Sequence, residues 1–171
     1  IKINAHETIN LSKVPKDSLI LFGSVTDPYR PIESKYQITR KCLEKLLNSQ
    51  PKIEILTKSP LVLRDIELLK KFKNLRVGVS IGIFNEKLAR ELEPYVASPN
   101  QRIEILRKLD EAGIQTYLFV SPIFPEISDI SSLLDSTKEY VSEVMFENLN
   151  IRANNREGIL NFIKKDKPRL E

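Results

Sequence analysis

The chain is poor in the residues that most often carry chemistry on their own. It has one cysteine, one histidine and no tryptophan among 171 residues. A single cysteine excludes a disulfide within the chain, and such low usage points to a reducing compartment, the cytoplasm. Cys42 and His6 together cannot complete a tetrahedral Cys/His metal site. A Ser-His-Asp triad would have to use His6, which stands near one end and far from any nucleophile motif. Glycine is also scarce, at five residues. The first apolar run leads into neither G-x-G-x-x-G nor G-x-x-x-x-G-K, which counts against dinucleotide and nucleoside-triphosphate folds. No apolar run approaches the roughly 20 residues that cross a bilayer, so no membrane partner is expected. Neither sign of charge dominates, with a net charge of +4. The lysines of Lys70-Lys71-Phe72-Lys73 and Lys164-Lys165-Asp166-Lys167 alternate with acidic and apolar residues. They read as solvated helix faces, so charge does not support a nucleic-acid partner.

What is present is the balance of a folded domain, 41% hydrophobic and 29% charged. A chain of this length buries roughly 70% of its unfolded surface in one core. Short apolar runs rich in β-branched residues alternate with longer segments of helical period. They predict strands over 18–25, 52–57, 75–82, 114–121 and 140–147, and helices over 35–48, 63–72, 101–112, 132–138 and 155–164. Alternation over five units argues for an α/β fold with a parallel sheet and right-handed crossovers. A closed barrel, a partial barrel and an open doubly wound sheet all satisfy it. Pro51 and Pro60 bracket the second strand, where a helix cannot continue. Ser98 and Pro99 suit the N-cap and first position of the fourth helix, and Gly113 its left-handed end. Ile103, Leu106, Leu109 and Ala112 form its expected sheet-facing stripe. Cys42 lies among Ile38, Leu43, Leu46 and Leu47 and reads as a buried structural thiol. Arg64-Asp65 reads as a charge pair at a helix start, and Arg102 as a solvated helix residue. With no repeat and no linker, residues 1–171 form a single domain.

The polar residues cluster where the strands are expected to end. The first run closes in Ser24-Val25-Thr26-Asp27 and the second in Thr57-Lys58-Ser59. Ser80 lies in the third, Ser121-Pro122 ends the fourth, and Glu147-Asn148 the fifth. On a parallel sheet these ends share one rim, the usual ligand edge. The set suits an amino-acid zwitterion, with Thr26 and Asp27 toward an ammonium and Lys58 and Ser80 toward a carboxylate. Thr26-Asp27-Pro28 also suits a plain turn, with the Asp side chain capping the next helix.

Several segments resemble radical S-adenosylmethionine (radical SAM) enzymes of the spore-photoproduct-lyase-like branch. They are Thr26-Asp27-Pro28-Tyr29-Arg30-Pro31-Ile32-Glu33, Leu56-Thr57-Lys58-Ser59-Pro60, Arg64-Asp65, Leu92-Glu93-Pro94-Tyr95, Glu111-Ala112-Gly113-Ile114 and Pro122-Ile123-Phe124-Pro125. The resemblance implies a partial (β/α)6 TIM-like barrel and a [4Fe–4S] cluster that reductively cleaves S-adenosylmethionine to a 5′-deoxyadenosyl radical. It implies that Thr26 and Asp27 meet the methionyl amino group, that Lys58 and Ser80 meet its carboxylate, and that backbone at Val120 and Ser121 lines the adenine. It also implies a reductant protein as partner of the full-length parent; the substrate stays unknown.

The family's C-x-x-x-C-x-x-C triplet is absent, and Cys42 is in the wrong place to replace any of it. Ile1-Lys2-Ile3-Asn4 also lacks a methionine. The chain is therefore expected to be the C-terminal part of a radical SAM core, missing the first barrel strand and the cluster loop. Alone it should hold no cluster. Gly23-Ser24-Val25 stands where the photoproduct lyases carry a hydrogen-donor cysteine, so DNA repair is not implied. A missing first strand would leave 18–25 as an unpaired edge open to self-association. Two further readings remain open: a cluster-free α/β small-molecule binding module, and an ordinary barrel enzyme using Asp27 and Lys58 for acid/base chemistry.

Overall fold

The computed structural model describes residues 4–13, 15, 18–152 and 155–166. Five strands form one sheet: β1 (Leu19–Phe22), β2 (Lys52–Thr57), β3 (Leu75–Ser80), β4 (Gln115–Ile123) and β5 (Glu143–Asn148). They lie side by side in chain order, and every neighbouring pair is parallel. A doubly wound sheet reverses its order at a switch point. This one does not, so it is a barrel segment wound in a single direction. The helices are α1 (Ala5–Thr8), α2 (Glu33–Tyr36), α3 (Ile38–Leu46), α4 (Ile66–Leu69), α5 (Glu86–Leu92), α6 (Pro99–Glu111), α7 (Ile130–Thr137) and α8 (Arg156–Asp166).

Strand side chains alternate between two faces. Ile53, Ile55, Val77, Val79, Leu118 and Val120 join Leu43 and Leu46 of α3 and Ile105, Leu106 and Leu109 of α6 in the main core. The opposite face carries Glu54, Gly78, Ser80, Tyr117 and Ser121. Near its N-terminal end Arg76 bonds Glu54 through Nε at 2.8 Å, and Tyr117 donates to the same carboxylate at 2.9 Å. This network packs the floor of the sheet's inner face.

Several expected elements shift. β1 is shorter than the run 18–25, because Gly23 turns out at φ 106°, and a Cβ there would sit 2.2 Å from the Leu56 carbonyl oxygen. The helix expected over 35–48 breaks at Gln37, whose φ is 52°. The Glu33 carboxylate accepts from Ile38 N at 2.9 Å and from Arg40 N at 3.3 Å, capping α3 from outside and separating it from α2. The second helix begins as a 3-10 turn, Pro60–Asp65, before α4. α5 has no counterpart among the expected helices; the Asn85 side chain caps it by accepting from Lys87 N and Leu88 N.

The fourth expected helix, α6, starts as its punctuation indicates. Ser98 and Gln101 form a reciprocal capping box, Pro99 follows, and Gly113 ends the turn at φ 76°. Its buried stripe is rotated, however, to Arg102, Ile105, Leu106 and Leu109, with Ile103 and Ala112 only half-buried. Cys42 is 6% exposed on the helix side of the sheet. Among the described residues no helix is long and apolar enough to cross a membrane.

Candidate functional site

β1 and β2 end side by side, and Asp27 ties them together. Its Oδ1 accepts from Tyr29 N at 2.8 Å and from the Thr57 hydroxyl at 2.7 Å, while Oδ2 accepts from Lys58 N at 2.8 Å. The carboxylate thus makes the turn suggested by Asp-Pro and also fixes the start of the loop after β2. Three donors hold it, so most of its acceptor capacity is already used. Thr26 stands exposed beside it. A cavity of about 460 Å³ opens between these loops, lined by Thr26, Asp27, Lys58, Arg30, Tyr95 and Val96. A larger cavity, of about 660 Å³, lies at the opposite end of the strands around Lys52, Glu54, Arg76 and Gln115. It contains none of the candidate residues and sits away from the edge where parallel sheets hold ligands.

Ser80 and Ser121 form a second group, on β3 and β4. Ser80 Oγ donates to the Ser121 carbonyl at 3.2 Å, and the Ser121 hydroxyl donates to Glu147 on β5. Val120 beside them is fully buried with its side chain in the core, so only its backbone can face a ligand. The pairing of β4 with β5 shifts between Val120 and Ile123. Such bulges re-aim groups and are frequent next to active sites.

A carboxylate and a buried guanidinium connect the two groups. Lys58 Nζ is ion-paired with Glu93 Oε1. Glu93 Oε2 accepts from Arg102 Nη2 at 2.8 Å. Arg102 is 2% exposed, and it also donates to the Ala97 carbonyl at 2.7 Å and the Ser80 carbonyl at 3.0 Å. The expectation of a solvated Arg102 is therefore wrong: carbonyls at the loop before α6 and at the end of β3 draw it inward. Burial pushes the Glu93 carboxyl up, but Lys58 and Arg102 outweigh it and hold its pKa below the ordinary range.

Arg64-Asp65 also differs from a simple helix-dipole pair. The Asp65 side chain is fully buried and accepts from Arg40 at 2.7 Å and from Arg64 at 2.8 Å and 2.9 Å. Burial raises its pKa, and these two guanidinium groups bring it down past the ordinary value. Tyr29, packed between this cluster and the rim, has its hydroxyl pushed strongly up by burial and then by Asp65. These residues brace the rim from the helix side.

Glu93 and Glu147 carried no assigned role in the sequence. Glu93 lies within Leu92-Glu93-Pro94-Tyr95, a segment that carried the resemblance without a role for this carboxylate. The structure unites Thr26, Asp27 and Lys58 in one cavity and pairs Ser80 with Ser121; Arg102 and Glu93 bridge the two.

The family model for the radical SAM superfamily matches residues 5–134. The chain belongs to the radical SAM superfamily. An uncharacterized protein of Methanocaldococcus jannaschii is 42% identical over 134 residues, covering 78% of this chain and 51% of that protein. The chain spans about half the length of the curated relatives it matches. Among solved structures, Streptococcus suis SuiB bound to S-adenosylmethionine has a TM-score of 0.60 at 18% identity, covering 87% of this chain and 37% of its own. Spore photoproduct lyase, in a variant with bound AdoMet and dinucleoside spore photoproduct, gives a TM-score of 0.60 at 17% identity, covering 92% and 47%. These likenesses establish the fold as a partial radical SAM barrel.

Radical SAM proteins in general use a [4Fe–4S] cluster, and this chain's donors do not fit one. Cys42 offers a single thiol, and it is buried on α3 rather than at the rim. Among the described residues no three His, Cys, Asp or Glu side chains are grouped to hold a metal.

Proposed function

We propose that this chain is the part of a radical SAM enzyme that binds S-adenosylmethionine at the C-terminal ends of its strands. The observation that carries the reading is the rim itself: strand-end hydroxyls and an ammonium converge on one edge of a parallel sheet in a radical SAM chain. Thr26 and Asp27 face the methionyl amino group, Lys58 its carboxylate together with Ser80, whose hydroxyl turns from the Ser121 carbonyl to donate there, and backbone at Val120 and Ser121 the adenine. Lys58 has three N–H donors and spends one on Glu93, which leaves two for a ligand carboxylate. Asp27 is largely spent on the β1–β2 junction, so its share is mainly electrostatic, and the exposed Thr26 hydroxyl beside it is left to make a hydrogen bond.

For the whole protein the reading is reductive cleavage of S-adenosylmethionine to a 5′-deoxyadenosyl radical that acts on an unidentified substrate. The iron–sulfur centre must be held by cysteines other than Cys42. A reductant protein and the cytoplasm, where thiols stay reduced, complete the setting. Saturable binding of S-adenosylmethionine to this chain, weakened by Lys58→Ala, tests the site. 5′-Deoxyadenosine from the reduced, cluster-loaded longer protein tests the activity, and its absence contradicts that part.

One observation favours a second reading. The only cysteine is off the rim, as in a cluster-free small-molecule binding module. That reading predicts ligand binding with no iron or deoxyadenosine chemistry in the longer protein. Acid/base catalysis by Asp27 and Lys58 is less well supported, because Asp27 is held by three donors and Lys58 by Glu93.

A further inference from the structure

We infer that Glu93, anchored by buried Arg102, is a positioning residue that orders Lys58 toward the carboxylate of an amino-acid zwitterion and joins the two halves of the rim. The inference rests on the S-adenosylmethionine site proposed above, and adds to it a residue that makes no ligand contact of its own.

The geometry separates the roles of the three side chains. Arg102 is held at three points, two of them backbone carbonyls, and its side chain is 3% exposed. Its position is thus set by the fold and not by Lys58. Glu93 uses one oxygen for Arg102 and the other for Lys58, so an anchored guanidinium fixes the carboxylate that in turn fixes the ammonium. Lys58 is intrinsically flexible, a compact charge on a four-carbon stem that loses much rotamer freedom when it binds. At 27% side-chain exposure it still opens to the cavity beside Thr26 and Asp27. Arg102 also donates to the carbonyl of Ser80. The same guanidinium therefore sets the distance between the Lys58 and Ser80 halves of the proposed carboxylate site.

Charge count points the same way. Two cations share the Glu93 carboxylate, so this trio carries an excess of one positive charge at the Lys58 end of the rim, while Asp27 supplies the negative charge at the Thr26 end. A carboxylate entering beside Lys58 meets this excess and two unused N–H donors. Were Glu93 only a counter-ion that competes with the ligand, its removal would free Lys58 and tighten binding. A positioning role predicts the opposite sign, because the disordered lysine must be ordered again by each ligand.

The test compares S-adenosylmethionine with its decarboxylated analogue, titrated into the wild-type chain, Glu93→Gln, Lys58→Ala and the double variant by calorimetry. Glu93→Gln is expected to weaken S-adenosylmethionine about tenfold, the cost of ordering one long side chain, and to leave the decarboxylated analogue within about twofold. In the Lys58→Ala background the Glu93 change should have no further effect. Equal weakening of both ligands assigns Glu93 a structural role and overturns the inference; so does unchanged or tighter binding of S-adenosylmethionine. If Glu93→Gln does not fold, as its thermal melt will show, the wild type answers the question. Its Lys58 ammonium should be ordered by NMR without ligand and remain so on adding S-adenosylmethionine; an ammonium disordered without ligand overturns the inference. Wild-type chain that binds no S-adenosylmethionine removes the site and this inference together, whereas wild-type binding with an unmoved Glu93→Gln removes the inference alone.

Discussion

The ring of Tyr117 on β4 occupies the space beside Gly78 on β3, so that a Cβ built on Gly78 would lie 2.1 Å from Tyr117 Cζ. Gly78 and Tyr117 are register partners, and glycine is what lets the ring lie across the inner face of the sheet and reach Glu54. Gly78→Ala must displace an aromatic ring held by a hydrogen bond. Its expected cost is about 1–3 kcal/mol of stability, as for other overpacked sites. A urea midpoint equal to that of the wild type would show that the ring yields freely.

Asp27 joins the ends of β1 and β2 through three hydrogen bonds, so its replacement tests whether the rim is held by that carboxylate. Asp27→Asn keeps the shape but removes the charge and puts an NH2 donor where one accepting oxygen stood, so at least the bond at that oxygen is lost. A loss of about 1.5–3 kcal/mol is expected, the usual range for a bond to a charged acceptor. Amide exchange should quicken first at 57–59, and protection there unchanged from the wild type would count against the role.

Acid should weaken the fold through the rim and its brace. Glu93 and Asp65 both have pKa values depressed below their ordinary 4.5 and 3.8. A carboxylate that ionises more readily when folded adds stability that is complete above its unfolded pKa and is lost as pH falls through the folded value. The urea midpoint is therefore expected to be level from about pH 7 to about pH 5 and to fall below about pH 4. Asp65→Asn should lower the plateau and flatten the acid limb; an acid limb identical to the wild type would refute the assignment.

Local chemistry explains which parts of this fold could be read from residues alone. The five strands follow from β-branched runs, and the start and end of α6 follow from Ser98, Pro99 and Gly113, whose effects reach only a few residues. Gln37 carries no such mark, because the break there is made by Glu33 and secured by Arg64 from a distant segment. Arg102 misled for the same reason: on a helical wheel it is one more charge, and only the carbonyls of Ala97 and Ser80 turn it inward. The strand-end candidates were legible as a rim, since parallel topology alone brings them together. Their division into two groups was not, because it depends on the Glu93 bridge.

Self-association is the expectation that concerns the sheet edge. Among the described residues β1 pairs only with β2, and Leu19 and Leu21 are 58% and 43% exposed. Exposed apolar edges recruit further strands unless charge blocks them. Light scattering of this chain should show a mass that rises with concentration, and Leu21→Lys should reduce the rise. A constant monomer mass would argue that the edge is already protected.

The most direct test of the account is a titration of S-adenosylmethionine into the isotopically labelled chain, followed by amide chemical shifts. Saturable shifts are predicted at Thr26, Asp27, Lys58, Ser80, Val120 and Ser121, with none at Glu54, Arg76 and Gln115 around the opposite end of the strands. Shifts confined to that opposite end, or no saturable shift at the rim, would contradict the placement of the ligand at the strand C-terminal ends.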